Sequence, residues 1–166
     1  NVHFGFLMEF SYHFSMKLEN IPLARIDRAS ADWDRYVFTF PLEAGPVMES
    51  IQSVGLQQPV VVAAERESYA IVIGVRRLLA CQQLAWQKLP AIVVREETPE
   101  NLLWLSLQEK RGGRPLNAME KSRVLQRFAG VGEGDLEPLP KGICPVLGFT
   151  SSSLTGNPFF QATTIW

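Results

Sequence analysis

At 166 residues, 46% hydrophobic and 20% charged, the chain has the length and apolar content of one packed domain with tails, which excludes bulk disorder. No apolar run reaches the ~18 residues of a membrane-spanning helix, and two cysteines (Cys81, Cys144) with two histidines indicate neither a disulfide scaffold nor a zinc site. The net charge of −1 divides unevenly: residues 1–75 carry −4, residues 76–127 carry +5 and the remainder −2. A basic middle between acidic flanks suits a bound polyanion, though a solvated helical face would produce the same balance.

In chain order, residues 1–15 are rich in aromatics and lack Lys and Arg, without the layout of a secretory signal. Met16-Lys17 reads as the more natural start, so residues 1–15 are expected to be an N-terminal extension. Ile21–Ile26 alternates apolar and polar with Pro22 near its start, which predicts an edge strand. Residues 27–41 read as a loop in which the alternation from Tyr36 to Phe40 could form a second short strand. Val47, Ile51 and Val54 fall at helical spacing before Gly55, a fitting C-terminal stop.

Pro59–Ala64 and Tyr69–Ile73 are strands around a polar turn, a hairpin rich in β-branched residues. Gly74 breaks the second strand, and a helix is expected to run to about Trp86 with Leu78, Cys81, Leu84 and Ala85 on one face. That face predicts a buried, inert thiol at Cys81. Leu89–Arg95 is a third apolar strand. Thr98-Pro99-Glu100 starts a helix running to about Arg111, where Gly112-Gly113 ends it. Asn117, with Glu120 three residues on, is a capping box for a last helix ending near Gly130. The rest, rich in Gly, Pro, Ser and Thr with apolar patches at 143–149 and 154–160, is read as an irregular tail.

The chemistry concentrates where a strand ends at Gly74 and Arg76-Arg77 open the next helix. A helix N-terminus presents unpaired N–H groups and about half a positive charge, and glycine at the corner lets an anion approach the backbone. Two arginines add fork-shaped donors suited to phosphate. Their position runs against the helix dipole, so either they serve an anion or one pairs with a carboxylate such as Glu96 or Glu97.

These residues also carry a resemblance. Ser50-Ile51 through Gly55-Leu56 and Gln58-Pro59 into a strand resembles a segment of the ParB family; Gly74-Val75-Arg76-Arg77-Leu78-Leu79-Ala80 resembles its GERRxRA phosphate box; Leu116-Asn117-Ala118-Met119-Glu120 resembles its LNPxE helix start. Three motifs in order cover most of residues 16–128. The resemblance implies an α/β fold of the ParB/sulfiredoxin type, a small mixed sheet with flanking helices, in a nucleotide-binding domain over 16–128 followed by a tail over 129–166.

It further implies CTP with magnesium as cofactors. Gln58 and Pro59 would line the nucleotide pocket, Gly74, Arg76 and Arg77 would hold phosphates, and Glu109, at the family's offset from Leu116, would be the metal ligand. The implied setting is a cytoplasmic DNA-partition or transcription-regulator protein. Its expected partners are a nucleotide, DNA engaged through a downstream region, and a second copy of the chain, with no membrane partner.

The sequence departs from the pattern at Val75, which replaces the acid of the box, at Lys110, beside Glu109, and at Gly112-Gly113. Turnover is therefore expected to be that of a slow CTPase at most. No helix-turn-helix or heptad pattern follows Phe128, so the chain reads as either a fragment or a stand-alone variant. The alternatives are a protein-interaction module with a degenerate pocket and, further off, a sulfiredoxin-like or nuclease enzyme. Sulfiredoxin places its cysteine where this chain has Val75.

Overall fold

The computed structural model describes residues 15–26, 28, 33–111, 113–130, 143 and 147–148. Four strands, β1 (Ser15–Pro22), β2 (Val60–Ala64), β3 (Tyr69–Ile73) and β4 (Lys88–Arg95), form one sheet in the order β1-β4-β2-β3. β1 is antiparallel to β4, β4 parallel to β2, and β2 antiparallel to β3. Among the described residues four helices accompany it: α1 (Gly45–Val54), α2 (Val75–Gln83), α3 (Pro99–Arg111) and α4 (Ala118–Ala129). This is the expected mixed α/β sheet with flanking helices. None of the helices described is long and apolar enough to cross a membrane.

Strands β2, β3 and β4 are covered on both faces, which explains why they read as continuous apolar runs instead of alternating with polar residues. Val60, Val62, Ile71, Leu89, Ala91 and Val93 pack with Ile51 of α1 and Leu78 and Cys81 of α2. The intervening residues Val61, Ala63, Ala70, Val72 and Val94 pack with Leu103 and Leu107 of α3 and Val124 and Phe128 of α4. Period two along β2, β3 and β4 thus sorts side chains into two cores. Cys81 is fully buried as expected, and burial pushes its thiol up from the ordinary value. Ile143 and Leu147, from the segment read as a tail, are buried in the second core.

Several expectations need correction. The first strand is Ser15–Pro22, whereas Leu23–Arg25 is a turn of 3-10 helix, so only Ile21 and Pro22 of the expected Ile21–Ile26 strand belong to it. The reason is pairing: β1 is an edge strand held along its whole length by β4 backbone, and Met16 and Leu18 remain exposed. Val54 is 60% exposed, leaving Ile51 as the buried anchor of α1. α2 ends at Gln83, and Ala85 lies beyond it, exposed and with φ 57°.

Tyr36–Phe40 is not a strand, although Tyr36, Val37, Phe38 and Thr39 are buried and the first three alternate between the two cores. Its backbone is met by a local turn, the Val37 N–H donating to the Asp34 carbonyl at 2.7 Å, and by side chains instead of a ladder. Ser106 Oγ donates to the Tyr36 carbonyl at 2.8 Å, Arg123 to the Thr39 carbonyl at 2.9 Å and Asn117 Nδ2 to the Phe40 carbonyl at 3.0 Å. The Phe40 N–H donates to Glu120 Oε1 at 3.1 Å, and Arg76 reaches the Pro41 carbonyl at 3.1 Å. The segment is clipped between the starts of α2 and α4, where it walls a cleft.

Candidate functional site

The cleft has a volume of about 510 Å³. One wall is the corner between β3 and α2, where Gly74, the N-cap of α2, adopts φ 93° and ψ 30° without any side-chain cap. The first helical hydrogen bond runs from the Leu78 N–H to the Gly74 carbonyl at 3.0 Å. The N–H groups of Val75, Arg76 and Arg77 therefore precede the helical ladder, the arrangement that makes a helix start attractive to anions.

Gly74 is required here for two reasons. Its left-handed backbone disfavours any side chain, and a Cβ would sit 3.0 Å from Arg77 Nη2 and 3.1 Å from its Cζ and Nε. The Arg77 guanidinium is folded back over the corner, where Nη1 donates to the carbonyls of Gln58 at 3.0 Å and Pro59 at 2.7 Å. Burial lowers the Arg77 guanidinium from its ordinary value, while the charge of Glu109 acts in the opposite direction. Gly74→Ala is expected to cost ~1–2 kcal/mol from the left-handed backbone and to push Arg77 off its two carbonyls. A lower urea midpoint together with weaker triphosphate binding would show both; an unchanged midpoint would refute the strain at this corner.

Gly74, Arg76, Arg77 and Glu109 all line the cleft. Gln58 and Pro59 do not line it; they meet the corner through their carbonyls on Arg77, and the Gln58 side chain is exposed. Arg76 donates through Nη2 to the Pro41 carbonyl and keeps a buried Nε–H with no acceptor among the described residues. The arginines are thus held by main-chain carbonyls, not by Glu96 or Glu97; Glu97 accepts from Asn101.

Sequence reasoning missed Thr39, Ser106, Arg114 and the second role of Glu120. All four line the cleft. Ser106 had a signal, a lone hydroxyl in the apolar run Leu102–Leu107. Glu120 was legible only as a helix cap. It is 1% exposed and accepts four hydrogen bonds, from the N–H groups of Phe40 and Asn117 and from both terminal nitrogens of Arg114 at 2.8 Å. Burial pushes the Glu120 carboxyl up, but Arg114 and the Asn117 and Phe40 N–H groups outweigh it and hold the carboxyl below its ordinary value.

With Glu120 matched by Arg114, the remaining charged side chains on the walls are Arg76, Arg77 and Lys110 against Glu109. The excess is positive and suits an anion. Among the described residues no group of three or more His, Cys, Asp or Glu side chains could hold a metal ion. Among the described residues Glu109 is the one carboxylate on the wall not taken up by a guanidinium fork. That set fits magnesium only as an ion shared with phosphate oxygens, since magnesium accepts one or two carboxylates alongside substrate phosphates and water.

The ParB N-terminal domain model matches residues 15–110. A probable chromosome-partitioning protein ParB of Coxiella burnetii is 38% identical over 79 residues, which are 48% of this chain and 27% of that protein. The chain spans 27–31% of the length of the curated relatives it matches. A structure of a Pnob8-like ParB-N domain superposes with a TM-score of 0.52 at 13% identity, covering 72% of this chain and 46% of that one. C-terminally truncated ParB of Caulobacter crescentus, complexed with CTP-gamma-S, gives a TM-score of 0.47 at 24% identity, covering 81% and 72%. The match to the model over more than half the chain, with the fold to accompany it, places this protein in the ParB N-terminal domain family.

Proposed function

We propose that the domain binds a nucleoside triphosphate in this cleft, with its phosphates at the Gly74–Arg77 corner, and that the nucleotide is CTP, as the motif resemblance implies. The observation that carries the reading is the uncapped start of α2 beside Arg76, whose buried Nε–H lacks an acceptor among the described residues. A buried unpaired donor costs ~1–3 kcal/mol, and a phosphate oxygen would relieve that cost while meeting the helix dipole. Arg77, braced on the Gln58 and Pro59 carbonyls, adds charge to the same corner. In this reading Gln58 and Pro59 serve the pocket by fixing Arg77.

Magnesium, where present, would be held by Glu109 together with phosphate oxygens and would supply charge neutralisation. Lys110 and the arginines already provide much of that charge, so affinity depends little on the metal. Phosphoryl transfer needs positioned charge around both the attacking and leaving oxygens, and a lone carboxylate beside a lysine is a poor basis for it. The function supported is therefore nucleotide binding with slow turnover at most. In a partition or transcription-regulator protein it would act together with DNA contacts made downstream and with a second copy of the chain.

Titration with CTP by calorimetry, with and without magnesium, tests this. Saturable binding that changes little on chelation is expected, with little phosphate release whether or not DNA is added. Absence of saturable binding would transfer the case to a protein-interaction module. Robust magnesium-dependent release lost in Glu109→Ala would overturn the account of turnover.

A further inference from the structure

Glu120 is bonded more heavily than its place in the helix requires. A capping box asks one contact of the residue three positions into the helix, a bond from its side chain to the N-cap N–H, and Glu120 makes it to Asn117 at 3.0 Å. A glutamine would serve that purpose without placing a charge in the interior. Instead the structure keeps a carboxylate at 1% exposure and closes it with Arg114 through two parallel bonds of 2.8 Å. Arg114 itself is 53% exposed at its side chain and lines the cleft.

The donor inventory of Arg114 shows what this arrangement leaves over. A guanidinium has five N–H donors in a fixed plane. Nη1 uses its two on Glu120 and on the Pro115 carbonyl at 3.0 Å, and Nη2 uses one on Glu120. Among the described residues the second Nη2 hydrogen and the Nε–H have no acceptor, on a side chain of the cleft wall whose terminal group is already fixed. Exposed ion pairs gain little because two long side chains must be held still. Here one partner is buried and locked by backbone, so the other is immobilised before any ligand arrives, and a ligand meeting it does not bear that ordering cost.

We propose that Glu120 is a positioning residue that presents Arg114 to the cleft as a third guanidinium, beside Arg76 and Arg77, for the bound anion. The inference rests on the reading of the cleft as an anion site. It assigns to a buried acid a role in holding an anionic ligand, which simple charge counting would forbid: removing a negative charge from the wall should strengthen anion binding, whereas loss of positioning should weaken it.

The two accounts thus predict opposite signs for Glu120→Gln. The probe is inorganic triphosphate, titrated calorimetrically into the full chain. Glu120→Gln is expected to bind roughly 5–10-fold more weakly despite its added positive charge, because a charge-assisted donor is displaced but not removed. Arg114→Lys, at a half-exposed position, keeps the charge and a partner for Glu120 but cannot bridge both oxygens while offering donors to the cleft. It should weaken binding to a similar degree, and it decides the matter should Glu120→Gln fail to fold. Equal or tighter binding by Glu120→Gln, or unchanged binding by Arg114→Lys, overturns the inference; the latter result is what a carboxylate acting only as cap and clamp would give. Wild-type binding with both variants unaffected refutes this inference alone, while a wild-type chain that does not bind triphosphate refutes it together with the anion reading.

Discussion

Glu120→Ala is expected to destabilise the domain by ~3 kcal/mol, since several hydrogen bonds to a charged group, at roughly 1.5–3 kcal/mol each and not additive, are lost together. The variant removes the Glu120 half of the α4 capping box, leaves the Phe40 and Asn117 N–H groups without their carboxylate acceptor and frees Arg114. Chemical denaturation at neutral pH measures the loss; a change below 1 kcal/mol would show that water replaces the carboxylate without penalty. The sign with pH follows from the lowered carboxyl. Its contribution is fully present above the unfolded-state value of ~4.3 and drains away as the pH falls through the lower folded value. The gap between wild type and variant should therefore narrow in acid and stay constant from pH 6 to 8.

Arg76→Ala and Arg77→Ala should each weaken triphosphate binding by ~1.5–3 kcal/mol, the scale of a hydrogen bond to a charged group. The two should differ in a second respect. Arg76 has one main-chain anchor, the Pro41 carbonyl, whereas Arg77 joins the entry to β2 to the start of α2 through two carbonyls. Arg77→Ala should thus also lower stability, by ~1 kcal/mol, while Arg76→Ala should leave stability near wild type because its unpaired Nε–H goes with it. Unchanged affinity in both variants would remove this corner from the site.

The parts of the molecule legible in the sequence are those whose cause is local. Val60–Ala64 and Tyr69–Ile73 announce themselves through β-branched runs around a polar turn, and Asn117 with Glu120 announces a helix start through spacing alone. The corner at Gly74 was visible for the same reason: a strand, a glycine and two arginines are adjacent. What was not legible depends on distant partners. Tyr36–Phe40 has the alternation of a strand, but its carbonyls and N–H groups are met by Ser106, Asn117, Glu120 and Arg123, from helices far along the chain. β1 escaped because an edge strand is held by backbone, and its exposed Met16 and Leu18 carry no inward pattern. Arg114 lies outside the three family motifs, and although it is only six residues from Glu120, no helical or strand spacing links the two, so their pairing across the turn before α4 leaves no periodic signal.

The register of β1 bears on the order in which the domain assembles. Ser15 pairs with Arg95 and Pro22 with Lys88, so this ladder closes a loop that contains β2, β3, α1 and α2. The β2–β3 hairpin closes over a polar turn, and β4 follows it after a single helix. The entropy of closing a loop must be met before its contacts reward it, so the short-range hairpin can nucleate while β1 waits for β4 to dock against β2. β1 is then the last strand to join and, as an edge with most of its side chains in water, the first to detach. β1 itself contributes no wall to the cleft, which is lined by residues 37–39, Val47, the end of β3, the start of α2 and the α3–α4 region.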